Sequence, residues 1–135
     1  MDFNISIVGL IVGTLINMGL GALWYSNVLF SKSWMKEANI TEDDIKNPDK
    51  MGVVYALTAL TALLTSFVLG MLILNLGIDT ILEGLFFALV LWVGTNIPPI
   101  IKNWGFENRT LKLGMINHGY DLIVYMLVTI VYVLL

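Results

Sequence analysis

His118, Asp121 and Tyr125 stand three and then four residues apart, with Tyr132 two turns further on. At helical period that spacing puts them on one face. An imidazole titrates near neutral pH, so His118 could pass a proton or contact a ligand. A carboxylate inside an apolar stretch is costly unless paired, which makes Asp121 a marker of function or of a partner. Two further polar groups fall at similar depth. Thr95 and Asn96 precede Pro98-Pro99, and two prolines leave carbonyls of the preceding turn without donors, predicting a kink or an end of the helix. Trp24, Tyr25, Ser26 and Asn27 close the first apolar stretch. The expected constellation is a polar pocket of Trp24, Tyr25, Asn96, Asn117, His118, Asp121 and Tyr125, open to the cytoplasm.

Each residue also has a plainer role. A lone histidine near a helix start often hydrogen-bonds a loop carbonyl. Asp121 depends on where its helix begins. If Asn117 is the N-cap, Asp121 lies near the first turn and gains from the helix dipole; if Thr110 is the cap, it lies well inside. Pairing with His118 or Lys112 would make it structural. Glu83 invites a proton relay to Asp121, but the run Thr80-Ile81-Leu82-Glu83 explains it as a capping box. Catalysis is not expected, since neither a nucleophile set nor a metal-ligand set accompanies His118 and Asp121. The chain has no cysteine and one histidine, which removes disulfides, thiolates and Cys- or His-rich metal sites. No cofactor is expected. A net charge of −3 gives no electrostatic footprint for nucleic acid.

The elements that hold these residues follow from composition. Of 135 residues 58% are hydrophobic and only 13% charged, too few charges to hydrate a small soluble domain. Mean hydropathy is +0.85. Crossing a bilayer takes about 20 mainly apolar residues. Spans of that length are expected at about 5–30, 51–76, 81–101 and 113–135. Helices satisfy their own backbone in lipid, whereas the alternating segments of a β-barrel are missing. The fold class is therefore all-α: a polytopic, four-transmembrane-helix bundle forming one domain over 1–135. Met1-Asp2-Phe3-Asn4 lacks the basic start of a signal peptide, so the first stretch is expected to be a retained span.

All seven Lys and Arg lie in two connections, 31–50 and 102–112. The positive-inside rule makes these loops cytoplasmic and puts both termini on the non-cytoplasmic side of a multi-pass cell-membrane protein. The one-sided charge argues against dual topology. Trp24, Tyr25, Trp34 and Trp104 fall at the same boundary, as an aromatic belt would. Gly77 suits the end of the second helix, and Asn47-Pro48 an N-cap and first helical position. Thr41-Glu42-Asp43-Asp44 is a weaker capping pattern for a short surface helix. Gly9, Gly13, Asn17 and Gly21 recur every four residues, a small-residue stripe for close helix approach within the bundle or toward another subunit. Ala62, Ser66 and Gly70 make a second such stripe, and Gly84 and Ala88 begin a third.

Gly21-Ala22-Leu23-Trp24-Tyr25-Ser26 with Phe30 and Trp34, the Pro98 region, and Asn117-His118-Gly119-Tyr120 resemble the DUF1761 family over nearly the whole chain. The resemblance implies a small four-helix membrane protein of unknown function and supplies no catalytic residues. Asn27 stands where that family's pattern has proline, which bears on the end of the first helix. Two functions remain open. One is binding or transport of a small solute or lipid by a homo-oligomer, since four helices normally fill their own core. The other is a structural or interaction role through the cytoplasmic loops.

Overall fold

A computed structural model describes residues 1–135, the side chain of Pro48 apart. Six helices follow one another: α1 Ile7–Trp24, α2 Ser31–Ala38, α3 Glu42–Lys46, α4 Pro48–Leu76, α5 Ile81–Glu107 and α6 Leu111–Leu134. The chain is all-helical, and α1, α4, α5 and α6 are each long and apolar enough to cross a membrane. Their outer surfaces carry exposed Leu15, Leu57, Leu64, Leu82, Phe86 and Val90. Water would penalise so much exposed apolar area, and a lipid environment removes that penalty.

Local chemistry sets the boundaries. Ser6 caps α1 by accepting from Gly9 N–H at 2.9 Å. The helix stops at Trp24, short of Phe30, because the next residues bond into a turn. Ser26 Oγ donates to the Leu23 carbonyl at 2.6 Å, and the Phe30 N–H returns to the Trp24 carbonyl at 3.0 Å. The turn brings the Phe30 ring to 4.7 Å from that of Trp24. Asn47 caps α4 by accepting from Asp49 and Lys50 N–H groups. At the other end Gly77 adopts φ 66°, Gly77 N–H bonds the Leu74 carbonyl and Ile78 N–H the Ile73 carbonyl. That is a Schellman ending, which needs the left-handed conformation glycine adopts freely.

Thr80 starts α5 by accepting from Glu83 N–H at 3.2 Å. The reciprocal bond from Thr80 N–H to the Glu83 carboxylate is not formed among the described residues. Glu83 sits in the first turn, where a negative charge complements the helix dipole without direct contact. Asp44 in contrast closes back on its cap: its carboxylate accepts from the Thr41 N–H at 2.8 Å and the Thr41 hydroxyl at 2.9 Å. α5 runs through Pro98 and Pro99 to Glu107, so the proline pair neither ends the helix nor separates Asn96 from the loop end. The i+4 donors of the Gly94 and Thr95 carbonyls are missing as a result. Thr110, not Asn117, caps α6 by accepting from Leu113 N–H at 3.1 Å.

α6 is the central element, packed against α1, α4 and α5, while α1 also packs on α4. Gly84, Ala88, Trp92, Asn96 and Ile100 are the buried residues of α5, one every four positions. A Cβ on Gly84 would lie 2.7 Å from Thr129 Cγ2, so α5 and α6 touch more closely than a larger residue permits. On α1, Gly9, Gly13 and Asn17 are buried. Gly9 lies under the Tyr132 ring, Gly13 against Ser66 and Val128, and Gly21 against the Tyr120 hydroxyl. The stripe therefore serves packing within the chain. At the centre Val128 and Thr129 are fully buried.

Candidate functional site

All seven basic residues fall at one end of the helix assembly, the basic end. α5 and α6 are joined there by a tight turn through Asn108 at φ 55°, with Arg109 N–H bonded to the Asn103 carbonyl at 3.0 Å. α2 lies across the start of α6. Glu37 accepts a hydrogen bond from the Thr110 hydroxyl at 2.7 Å, so the residue that caps α6 is itself held by α2. Between the end of α2, the end of α5 and the first turns of α6 a cleft of about 500 Å³ opens, with Ile40, Asn103, Arg109, Asn117 and His118 among its walls.

At the cleft's inner wall a directional chain of hydrogen bonds crosses from α6 to α5. The Thr95 hydroxyl donates to the Leu91 carbonyl at 2.8 Å, so its oxygen accepts from Asn96 Nδ2 at 2.9 Å. That orients the Asn96 amide with Oδ1 toward His118, 2.7 Å from Nδ1. An amide oxygen can only accept, so Nδ1 carries the proton and the neutral ring keeps its Nε2 lone pair available. Trp92 Nε1 donates to the His118 backbone carbonyl at 2.6 Å and fixes the same turn from beneath.

Asp121, one turn deeper, lies about three turns inside α6 because the helix starts at Thr110. Its ion-pair partner is His118, whose Nδ1 lies 3.5 Å from the carboxylate and answers its charge only when the ring is protonated. Among the described residues no Lys or Arg pairs with it. Tyr25 and Tyr120 stand within Coulombic reach, but their protons point elsewhere. The Tyr25 hydroxyl donates to Asn117 Oδ1 at 2.8 Å, and the Tyr120 hydroxyl to the Asn17 carbonyl at 2.7 Å and to Asn17 Oδ1. Aromatic rings line this side: Tyr25 to Trp34 at 5.2 Å, Tyr25 to Tyr120 at 5.9 Å and Trp24 to Tyr120 at 6.3 Å between centroids.

The seven anticipated residues thus divide. Asn117 and His118 line the cleft, and Asn96 is buried behind His118, bonded to its ring; Trp24 donates through Nε1 to the Ile116 carbonyl at 2.8 Å and braces α6. Tyr25 reaches the group through Asn117. Asp121 lies beside it. Tyr125 points away, into a lateral groove of about 320 Å³ between α4 and α5, lined with Leu64, Val68, Leu72 and Leu91. Trp92 and Glu37 belong to the site but lacked a signal in the sequence, and Tyr120 stood out only as part of the run resembling the family. A buried tryptophan in an apolar run and a tyrosine beside an Asn-His pair resemble ordinary packing until their partners on other helices are known. Among the described residues no group of three or more His, Cys, Asp or Glu side chains could hold a metal ion.

A family model described as "Protein of unknown function (DUF1761)" matches residues 8–133. No curated protein and no solved structure matches the chain.

Proposed function

The chain belongs to the DUF1761 family, and from that premise we propose that it is a non-enzymatic integral protein of the cell membrane that binds a small solute or a lipid headgroup in the cleft at its basic end. The observation that carries this reading is the Thr95–Asn96–His118 chain, which sets the His118 tautomer and leaves Nε2 as an acceptor beside about 500 Å³ of open space. A histidine that only stapled two helices would not need a cleft beside it. Loop charge supports a cytoplasmic opening and non-cytoplasmic termini. Homo-oligomerisation is supported by α4, whose residues 52–58 are exposed on every side near the basic end. A half-helix without protein neighbours is a surface that a second copy could cover.

Because the chain has no cysteine, single cysteines at Asn96, Asn117 and His118 report on the cleft through an impermeant thiol reagent. Labelling from the cytoplasmic side at Asn117 and His118 is expected. Silence at all three positions would sink the cleft reading. Sizing in mild detergent tests oligomerisation. A role as an interaction protein draws on one different observation: the Glu37–Thr110 bond holds α2 fixed on α6, so the 31–50 loop offers a defined surface rather than a loose one.

A further inference from the structure

We propose that Asp121 and the α4–α5 groove together take a lipophilic organic cation, the positive centre beside the carboxylate and the apolar body in the groove. This adds a ligand class to the binding reading above, on which it rests, at a place one turn deeper than the cleft. The starting point is a carboxylate whose one ion-pair partner among the described residues is His118, with Nδ1 at 3.5 Å, a counter-charge only when the ring is protonated. The Asp121 side chain is 38% exposed, stands inside a membrane-capable helix and accepts no hydrogen bond from the described residues. The Tyr25 and Tyr120 hydroxyls and His118 Nδ1 are directed to other acceptors, Asn117, Asn17 and Asn96 in turn. While His118 is neutral, the ionised carboxylate has no counter-charge among the described residues, and a cation from outside would supply one.

The surroundings select the kind of cation. A hard metal ion takes six or more oxygen ligands, and one carboxylate is on offer. The neighbouring rings of Tyr25 and Tyr120, 5.9 Å apart between centroids, instead suit a diffuse positive charge, which aromatic rings attract. Tyr125, one turn beyond Asp121 on the same face of α6, is a wall of the lateral groove. The other walls are mostly apolar, with Leu64, Val68, Leu72 and Leu91 beside Thr65 and Thr95, and the groove lies between two membrane-capable helices. Charge at one end and about 320 Å³ of apolar space at the other match an amphiphilic cation.

Purified protein in lipid nanodiscs, titrated with tetraphenylphosphonium and with the isosteric anion tetraphenylborate, tests this. Saturable binding of the cation and none of the anion is expected. Asp121→Asn should weaken the cation by roughly tenfold or more, as loss of a half-buried charge partner does. Asp121→Glu should retain binding, and Val68→Trp should weaken it by filling the groove. Equal binding of both ions, or a cation affinity unchanged in Asp121→Asn and Val68→Trp, overturns the inference. If Asp121→Asn does not fold, the Val68→Trp and Asp121→Glu pair decides alone. Cysteine labelling at Asn117 separates the two failures. A labelled cleft with no saturable cation binding removes this inference only, and unlabelled cysteines remove the reading beneath it as well.

Discussion

Thr129 is fully buried where α5 meets α6, and its hydroxyl has no hydrogen-bond partner. Its methyl group, not its oxygen, contacts Gly84. A buried hydroxyl without a partner costs about 1–3 kcal/mol. Thr129→Val keeps the shape and removes that cost, so it should raise the unfolding free energy by about 1 kcal/mol in detergent denaturation. No gain would mean that the oxygen has a partner in the membrane. Asp44 answers to pH in a predictable direction. Hydrogen bonds from the Thr41 backbone, then from its side chain, hold the Asp44 carboxyl below the usual carboxylate range. A depressed value means the cap is fully formed above the ordinary carboxylate pKa and is lost as pH falls through the lowered one. The protection of the Thr41 amide relative to its intrinsic exchange rate should therefore fall in acid, and Asp44→Asn should flatten that response.

At the scale of elements, α5 and α6 form the unit that builds the site. Their contact runs from Gly84 near the Gly77 turn to Ile100 near the basic end. Gly84→Leu would force a side chain into Thr129 and is expected to cost about 1–3 kcal/mol through overpacking. The same change should disturb labelling at Asn96 and His118, because both stand on the register that Gly84 allows. Unaltered stability and labelling would show that α5 can shift without cost. Within α5 the prolines matter for what they permit. The helix continues past them, so Asn96, Asn103 and Glu107 stay on one rod, and the last two reach the cleft mouth.

For the whole molecule, orientation is the consequence of charge that experiment can read most directly. Loop basicity predicts that a cysteine at Lys36 labels from the cytoplasmic side and one at Asp79 from the opposite side. The reverse pattern would invert the placement of the cleft. The glycine stripe of α1 is occupied by Tyr132, Ser66 and Tyr120 of the same chain, so subunit contact has to use other surfaces. The uncovered half of α4 is the surface left for it, and a bulky residue at Gly52, which has open space around it, should lower the assembled fraction in sizing experiments.

Length, hydropathy and loop charge determine by themselves that this chain forms four membrane-capable helices, because crossing lipid is a demand each segment meets alone. Caps are equally local: Ser6, Asn47, Gly77 and Thr80 act on residues within a turn of themselves. The α6 start was ambiguous between Thr110 and Asn117 because both residue types can cap. The choice came from a neighbour, since Tyr25 engages the Asn117 side chain while Glu37 holds Thr110. The site likewise mixes both sources. His118, Asn96 and Asp121 are legible as polar residues where apolar ones are expected. Their division into a bonded Asn96–His118 pair behind a cleft and a carboxylate one turn deeper depends on donors from α1 and on the register of α5, which tertiary packing alone decides.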